Sequence, residues 1–507
     1  MTGFAAASDT GREAPPISAR TARILALAGA LGVVGDVVAT WLPPRLDVAA
    51  LLAVTVAAVM LGAWWQEAEW PAGAPILVAG GVAGVGALVW RDSPALFMLN
   101  VIGIAGCLLA GSPAADAARL RLAGVTAWVR EALRAGLETA MGALPAMATE
   151  VRWGDLPLSG RMRRAGAAGV GLLAALPVLV VFGGLFASAD PLFAKAVDRI
   201  FVLDVERFAG HAARIAVIAW LAAGMLRTLV VAPGRVPVET GGSGRVGMVQ
   251  VATALGAVAA LFAAFVAVQV PYLFGGAEHV ARLAGLTYAE YARRGFFELV
   301  CVAALTLPLL LVADWALDKQ DPRAVRRVRG IAWLMLGLLS VILASALSRM
   351  ALYTGAYGLT EQRLYTTAFM GWLIVVFGWF GATVLRGARE RFASGALVAA
   401  GCFIVALDVA NPDALIARVN LARADRGAVF DAGYVTHLSA DAVPLVVARA
   451  LALPAGERCR MTDEMAELWG TEPAAGAPWT VSRMQARSAV RAALPALVRS
   501  CRELGGG

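Results

Sequence analysis

The stretch that decides the fold is GIAWLMLGLLSVILASALS, Gly330–Ser348, closed at each end by an arginine, Arg329 and Arg349. Nineteen residues pass without a charge, and a helix needs about 20 apolar residues to cross a bilayer. Working outward from it, apolar runs of similar length recur at 22–42, 47–65, 74–90, 94–111, 165–188, 208–231, 248–270, 296–316, 365–385 and 391–409. With 328–348 that predicts an all-α, polytopic transmembrane helical bundle of about 11 spans. Composition agrees: 59% hydrophobic, 16% charged and a mean hydropathy of +0.71, whereas soluble domains carry about 25% charge.

The net charge of +8 does not indicate nucleic acid, because the arginines sit in short loops between apolar runs rather than on one basic face. Lysine occurs only at Lys195 and Lys319; this, with heavy Ala and Gly usage, points to a GC-rich bacterial genome. His211, His279 and His437 are scattered, and no HExxH, CxxC or GxxxxGK[ST] pattern occurs, so no metal site, P-loop or cofactor is expected. The glycines of Gly80–Gly86 lie within an apolar run and read as close helix packing.

Cytoplasmic loops collect Arg and Lys. With the N-terminus inside, about 22 basic residues fall in inner loops against about 10 in outer ones. The expected organisation is a cytoplasmic N-terminal segment (1–21), four spans (22–111), a cytoplasmic amphipathic loop (112–164), a seven-helix core (165–409) and an extracytoplasmic helical module (410–507). The expected location is a bacterial inner membrane. In the loop, Leu120, Leu122, Val125, Trp128, Val129 and Leu133 alternate with Arg119, Arg121, Arg130 and Arg134, which suits a helix on the membrane surface reaching anionic lipid. Cys107, Cys301 and Cys402 fall within spans; Cys459 and Cys501 are the two in the module, and an outward module permits a disulfide between them, with two buried thiols as the alternative.

Polar residues gather at the outer ends of the spans. Asp190 precedes Pro191 in a turn, and Glu290, Arg293 and Arg294 lead into span eight, where Glu298 stands inside the apolar run and needs a partner or water. Arg349, Tyr353 and Tyr357 share a helix face, followed by the Gly358 break, Thr360 as a cap, and Glu361 and Arg363. Glu298 or Glu361 would neutralise Arg349. Asp408 closes span eleven, and Asn411-Pro412-Asp413 is a helix start. Ser439 reads as a cap and Ser482-Arg-Met-Gln485 as a capping box. Asp36 is the other intramembrane charge, with Asn100 as a possible partner.

The segments 186–193, 286–299, 357–365, 411–420 and 431–444 together resemble a bacterial membrane-protein family known as domain of unknown function 4173, related to the broader set named domain of unknown function 4153. The resemblance implies an integral membrane protein and carries no catalytic assignment. Three functions compete: a cell-envelope scaffold with protein partners at its outer face; a transporter using Asp36, Glu298 and Arg349; and an envelope enzyme on lipid-linked substrates, with Arg293, Arg294, Arg349 and Arg363 as its cationic side. The scaffold leads, since no catalytic motif is present.

Overall fold

A computed structural model describes residues 17–65, 74–111, 125–147, 151, 205–227, 248–274, 296–316, 322–428, 430–473 and 476–505. Among these the structure is all-helical: α1 Ile17–Trp41, α2 Leu46–Trp65, α3 Ala74–Trp90, α4 Pro94–Gly111, α5 Val125–Met141, α6 Val205–Leu226, α7 Met248–Phe274, α8 Phe296–Ala316, α9 Pro322–Tyr357, α10 Glu361–Thr383 and α11 Glu390–Ala410. A C-terminal module adds α12 Pro412–Ala424, α13 Ala432–Thr436, α14 Val443–Arg449, α15 Ala455–Trp469 and α16 Val481–Gly505. Six helices among the described residues are long and apolar enough to cross a membrane, in α1, α6, α7, α9, α10 and α11; shorter apolar helices lie in α2, α3 and α4. The expected run 165–188 lies outside the described residues.

Contacts between helix ends fix the run of each helix. Ile24, Ala28 and Leu31 near the start of α1 pack with Ala222, Ala223 and Leu226 at the end of α6, while Asp36 near the other end of α1 pairs with His211 and Arg214 near the start of α6. The two are therefore antiparallel. Gln269 and Arg349, both toward the C-terminal ends of α7 and α9, bond each other, so these two are parallel. Asp314 near the end of α8 reaches Arg389 at the start of α11, so these two helix ends share a side.

Lipid supplies no hydrophobic force between helices, so close approach of small residues takes its place. A Cβ at Gly224 would stand 2.2 Å from the Thr139 carbonyl oxygen, which is why α5 can lie across the end of α6. A Cβ at Gly84 would stand 2.7 Å from Ile104, and α3 closes on α4 there. On α5, Leu133, Leu137 and Met141 are spaced by four and exposed, an apolar stripe suited to acyl chains.

The module has its own core, with Ile416, Val435, Val446, Met461, Met465, Val490 and Leu497 buried together and Leu364 of α10 joining from the bundle. Cys459 of α15 and Cys501 of α16 form a disulfide, their Cα atoms 5.5 Å apart.

Candidate functional site

The module is fastened to the bundle by a buried polar clamp. Its centre is Asp441, whose side chain is 1% exposed. The turn between α3 and α4 presents two successive backbone N–H groups, of Asp92 and Ser93, which donate to Asp441 Oδ2 at 2.7 and 3.2 Å. Pro94 at the first position of α4 leaves those N–H groups beside a helix start, where the dipole favours an anion. On Oδ1, Ser482 Oγ donates at 2.6 Å and Arg91 approaches at 3.4 Å.

The arrangement is reciprocal. Asp92 accepts from Arg483 Nε at 2.7 Å and from the Ala440 backbone N–H at 3.3 Å. Arg91 donates through Nε to the Asp408 carbonyl at 2.8 Å, and Asp408 accepts from Asn100 Nδ2 at 2.9 Å. The Asp408–Asn100 bond ties α11 to α4. Arg45, in the turn between α1 and α2, reaches the Arg91 carbonyl, and the Trp479 N–H donates to the Pro44 carbonyl at 3.0 Å.

Asp413 lies beside this centre, 1% exposed. Ser439 Oγ donates to its Oδ2, while Oδ1 has no partner among the described residues. Desolvation by burial pushes its pKa up to about 6, against the lowering effect of the Ser439 bond. Arg45, Arg91 and Arg483 meet Asp92, Asp408 and Asp441 here, while Asp413, which also senses the Glu361 carboxylate, is paired with no arginine among the described residues.

A second seam holds α12 against the α9–α10 turn. Asn420 brackets Leu359, accepting from its N–H and donating to its carbonyl, both at 2.8 Å. Arg423 donates to the Gly355 and Ala356 carbonyls at 3.1 and 2.9 Å, so the orphan acceptors ending α9 are filled from the module. Gly358 has φ +82°, and a Cβ there would stand 2.6 Å from both Arg423 Nη1 and Asn420 Oδ1. Asn411, at φ 52°, ends α11 and caps α12 through Ala414 N–H.

The residues expected to matter fall into three groups. Asp190, Glu290, Arg293 and Arg294 lie outside the described residues. Asn411, Asp413 and Asp408 are at the clamp, and Glu361 and Arg363 at the second seam: the Glu361 N–H donates to Tyr434 Oη at 2.9 Å, and Arg363 donates to the Gly358 carbonyl at 2.5 Å and stacks 4.0 Å above the Tyr353 ring. Tyr353 and Tyr357 meet edge to face, 5.3 Å apart. The remaining residues stand elsewhere. Glu298 is exposed in the first turn of α8, and Arg349 reaches neither it nor Glu361 but bonds Gln269 at 2.5 Å, an uncharged acceptor on the neighbouring helix α7. Asp36 pairs not with Asn100 but with His211 at 2.7 Å and Arg214 at 2.9 Å, because α6 and not α4 lies along α1. Ser482 is not the cap of α16: Thr480 Oγ1 accepts from the Arg483 N–H, and Ser482 is turned into the clamp.

Sequence reasoning missed Arg91, Asp92, Asp441 and Arg483 as a unit. The available signal was the turn Arg91-Asp-Ser-Pro94 itself, two charges in a link of four residues between apolar runs.

Neither a curated protein nor a solved structure matches the chain. A family match does exist; it is to the 4153 set, does not show the related 4173 family, and reaches further toward the N-terminus than the resembling segments, taking in α3 and α4. It spans both Arg91–Ser93 and Asp441, the two halves of the clamp, and on residues 76–448 the chain belongs to the family described as Domain of unknown function (DUF4153).

Proposed function

We propose that this protein is an eleven-span scaffold of the bacterial cell envelope that holds its C-terminal module against the extracytoplasmic face. The carrying observation is that the polar residues gathered at that face are bonded to one another: Asp441, Asp92, Arg91 and Arg483 form a buried intramolecular clamp. A clamp of this kind fixes position and register rather than turning over a substrate.

Helix directions support the span count. The turns at 41–46, 91–94 and 357–361 touch the module or its neighbours, so they share its face. Gly142, just after α5, lies against Gly224 at the end of α6, whereas α6 begins at the module face beside Asp36. The described residues on either side therefore stand at opposite faces, in keeping with the apolar run of span length at 165–188 in the sequence. The basic loops favour an outward module, and the Cys459–Cys501 bridge fits an oxidising compartment.

The scaffold reading predicts protein neighbours. Photocrosslinkers at Leu451 and Met484, both exposed on the module, should capture discrete envelope proteins from living cells. Solute flux through liposomes carrying the purified protein would contradict it. That transport reading draws its support from the Asp36–His211–Arg214 group, and proton flux abolished by Asp36→Asn would favour it. The group lies about 8 Å, at 1.5 Å per residue, from the end of α1, within reach of headgroups and water, which suits a structural ion pair.

A further inference from the structure

The second seam leaves an open cavity of about 490 Å³ between the end of α9 and α12, within the range of ligand sites. Arg418, Arg423 and Arg426 line it together with Thr354, Gly355 and Ala422, and no acidic residue is among the described residues that do. Arg423 is held by the carbonyls of Gly355 and Ala356. Arg418 and Arg426 are exposed and bond no described residue through their side chains. The nearby Asp425 is engaged by Arg449 at 3.1 Å.

The depth of the cavity identifies its occupant. Gly330–Ser348 is the uncharged part of α9, about 28 Å long at 1.5 Å per residue, close to the hydrocarbon thickness. Arg349 marks the boundary, and Gly355 stands six residues beyond it, about 9 Å further along the axis. That is the headgroup layer, where the concentrated anion is phosphate. Guanidinium groups bind phosphate oxygens in paired, charge-assisted bonds.

We infer that the Arg418–Arg423–Arg426 cavity binds a phosphate group, supplied by the headgroup of an anionic phospholipid. The site needs only that α9 crosses the membrane, so it stands apart from the scaffold reading and from which face is outside.

The test uses the full-length protein in nanodiscs of phosphatidylcholine with a minor fraction of phosphatidylglycerol, read by native mass spectrometry. The double variant Arg418→Gln/Arg426→Gln removes two exposed cations that bond no described residue, so its melting temperature should match the wild type. Each juxtaposed cation contributes about 1 kcal/mol toward an anionic surface, so phosphatidylglycerol retention should fall roughly tenfold to thirtyfold in the double variant, while Arg491→Gln, an exposed arginine on α16, leaves it unchanged. A parallel titration of the detergent-solubilised protein with inorganic phosphate separates the sources. Lipid enrichment without saturable phosphate binding supports the headgroup. Saturable phosphate binding lost in the double variant, without lipid enrichment, supports the same site with a soluble phosphate ester. Equal behaviour of wild type and double variant toward both probes overturns the proposal.

Discussion

The Asp441 side chain is the junction of three chain segments, its own, the α3–α4 turn and the start of α16. Removing its charge leaves Arg91 buried without its counter-ion, and breaking a buried pair costs about 3 to 5 kcal/mol. Asp441→Ala should therefore free the module from the bundle while the spans remain assembled, which limited proteolysis of the purified protein will show as rapid loss of the module with the spans protected. Asp413 is the opposite case. Its folded pKa of about 6 lies above the ordinary carboxylate value, so between about pH 4 and 6 the folded state binds the proton more strongly than the unfolded one, and stability falls as pH rises through that window. The change amounts to about 3 kcal/mol at 1.36 kcal/mol per unit. Asp413→Asn keeps an acceptor for Ser439 and should flatten the fall, stabilising the protein at pH 7 relative to the wild type in pH-dependent thermal melts. The sequence shows Asp413 as a residue in a first helical turn; its burial is invisible there, because what buries it is the segment holding Ser439.

Among the elements, the module's helices depend on each other and on the bundle. The disulfide between α15 and α16 closes 42 residues of sequence separation, which on the loop-entropy account stabilises by about 4 kcal/mol. Cys459→Ser/Cys501→Ser should lower the module's unfolding midpoint without shifting that of the spans, as measured by hydrogen exchange. Gly358 is as specific: its left-handed backbone and the contact with Asn420 and Arg423 leave no room for a Cβ. Gly358→Ala should cost about 1 to 3 kcal/mol, read as faster exchange of the α12 amides. Elements of this kind were legible where one helix determines them. The Asn411-Pro412 start of α12 and the Gly358 break stand in the sequence because they follow from local backbone geometry. Ser482 was misread for the same reason: a capping pattern sees three residues along the chain and not Asp441 across the fold.

At the scale of the whole molecule, the hydropathy of the spans made the all-helical architecture readable, since the bilayer requires apolar runs of one length. The partners of buried charges were not, because a span's sequence says that Asp36 or Arg349 needs company without saying which helix lies beside it. Those answers, His211 with Arg214 and Gln269, come from the order of helices in the plane of the membrane. The clamp is likewise a product of topology: it joins residues 348 and 349 apart in sequence that meet because the turns at 41–46, 91–94 and 357–361 and the end of α11 share one face. A density map of the full-length protein in lipid nanodiscs tests this most directly. The account predicts the C-terminal module packed on the α3–α4 turn, Asp441 within hydrogen-bonding distance of the Asp92 and Ser93 amides, on the face where α11 ends; a module detached from that turn, or docked through other residues, would contradict it.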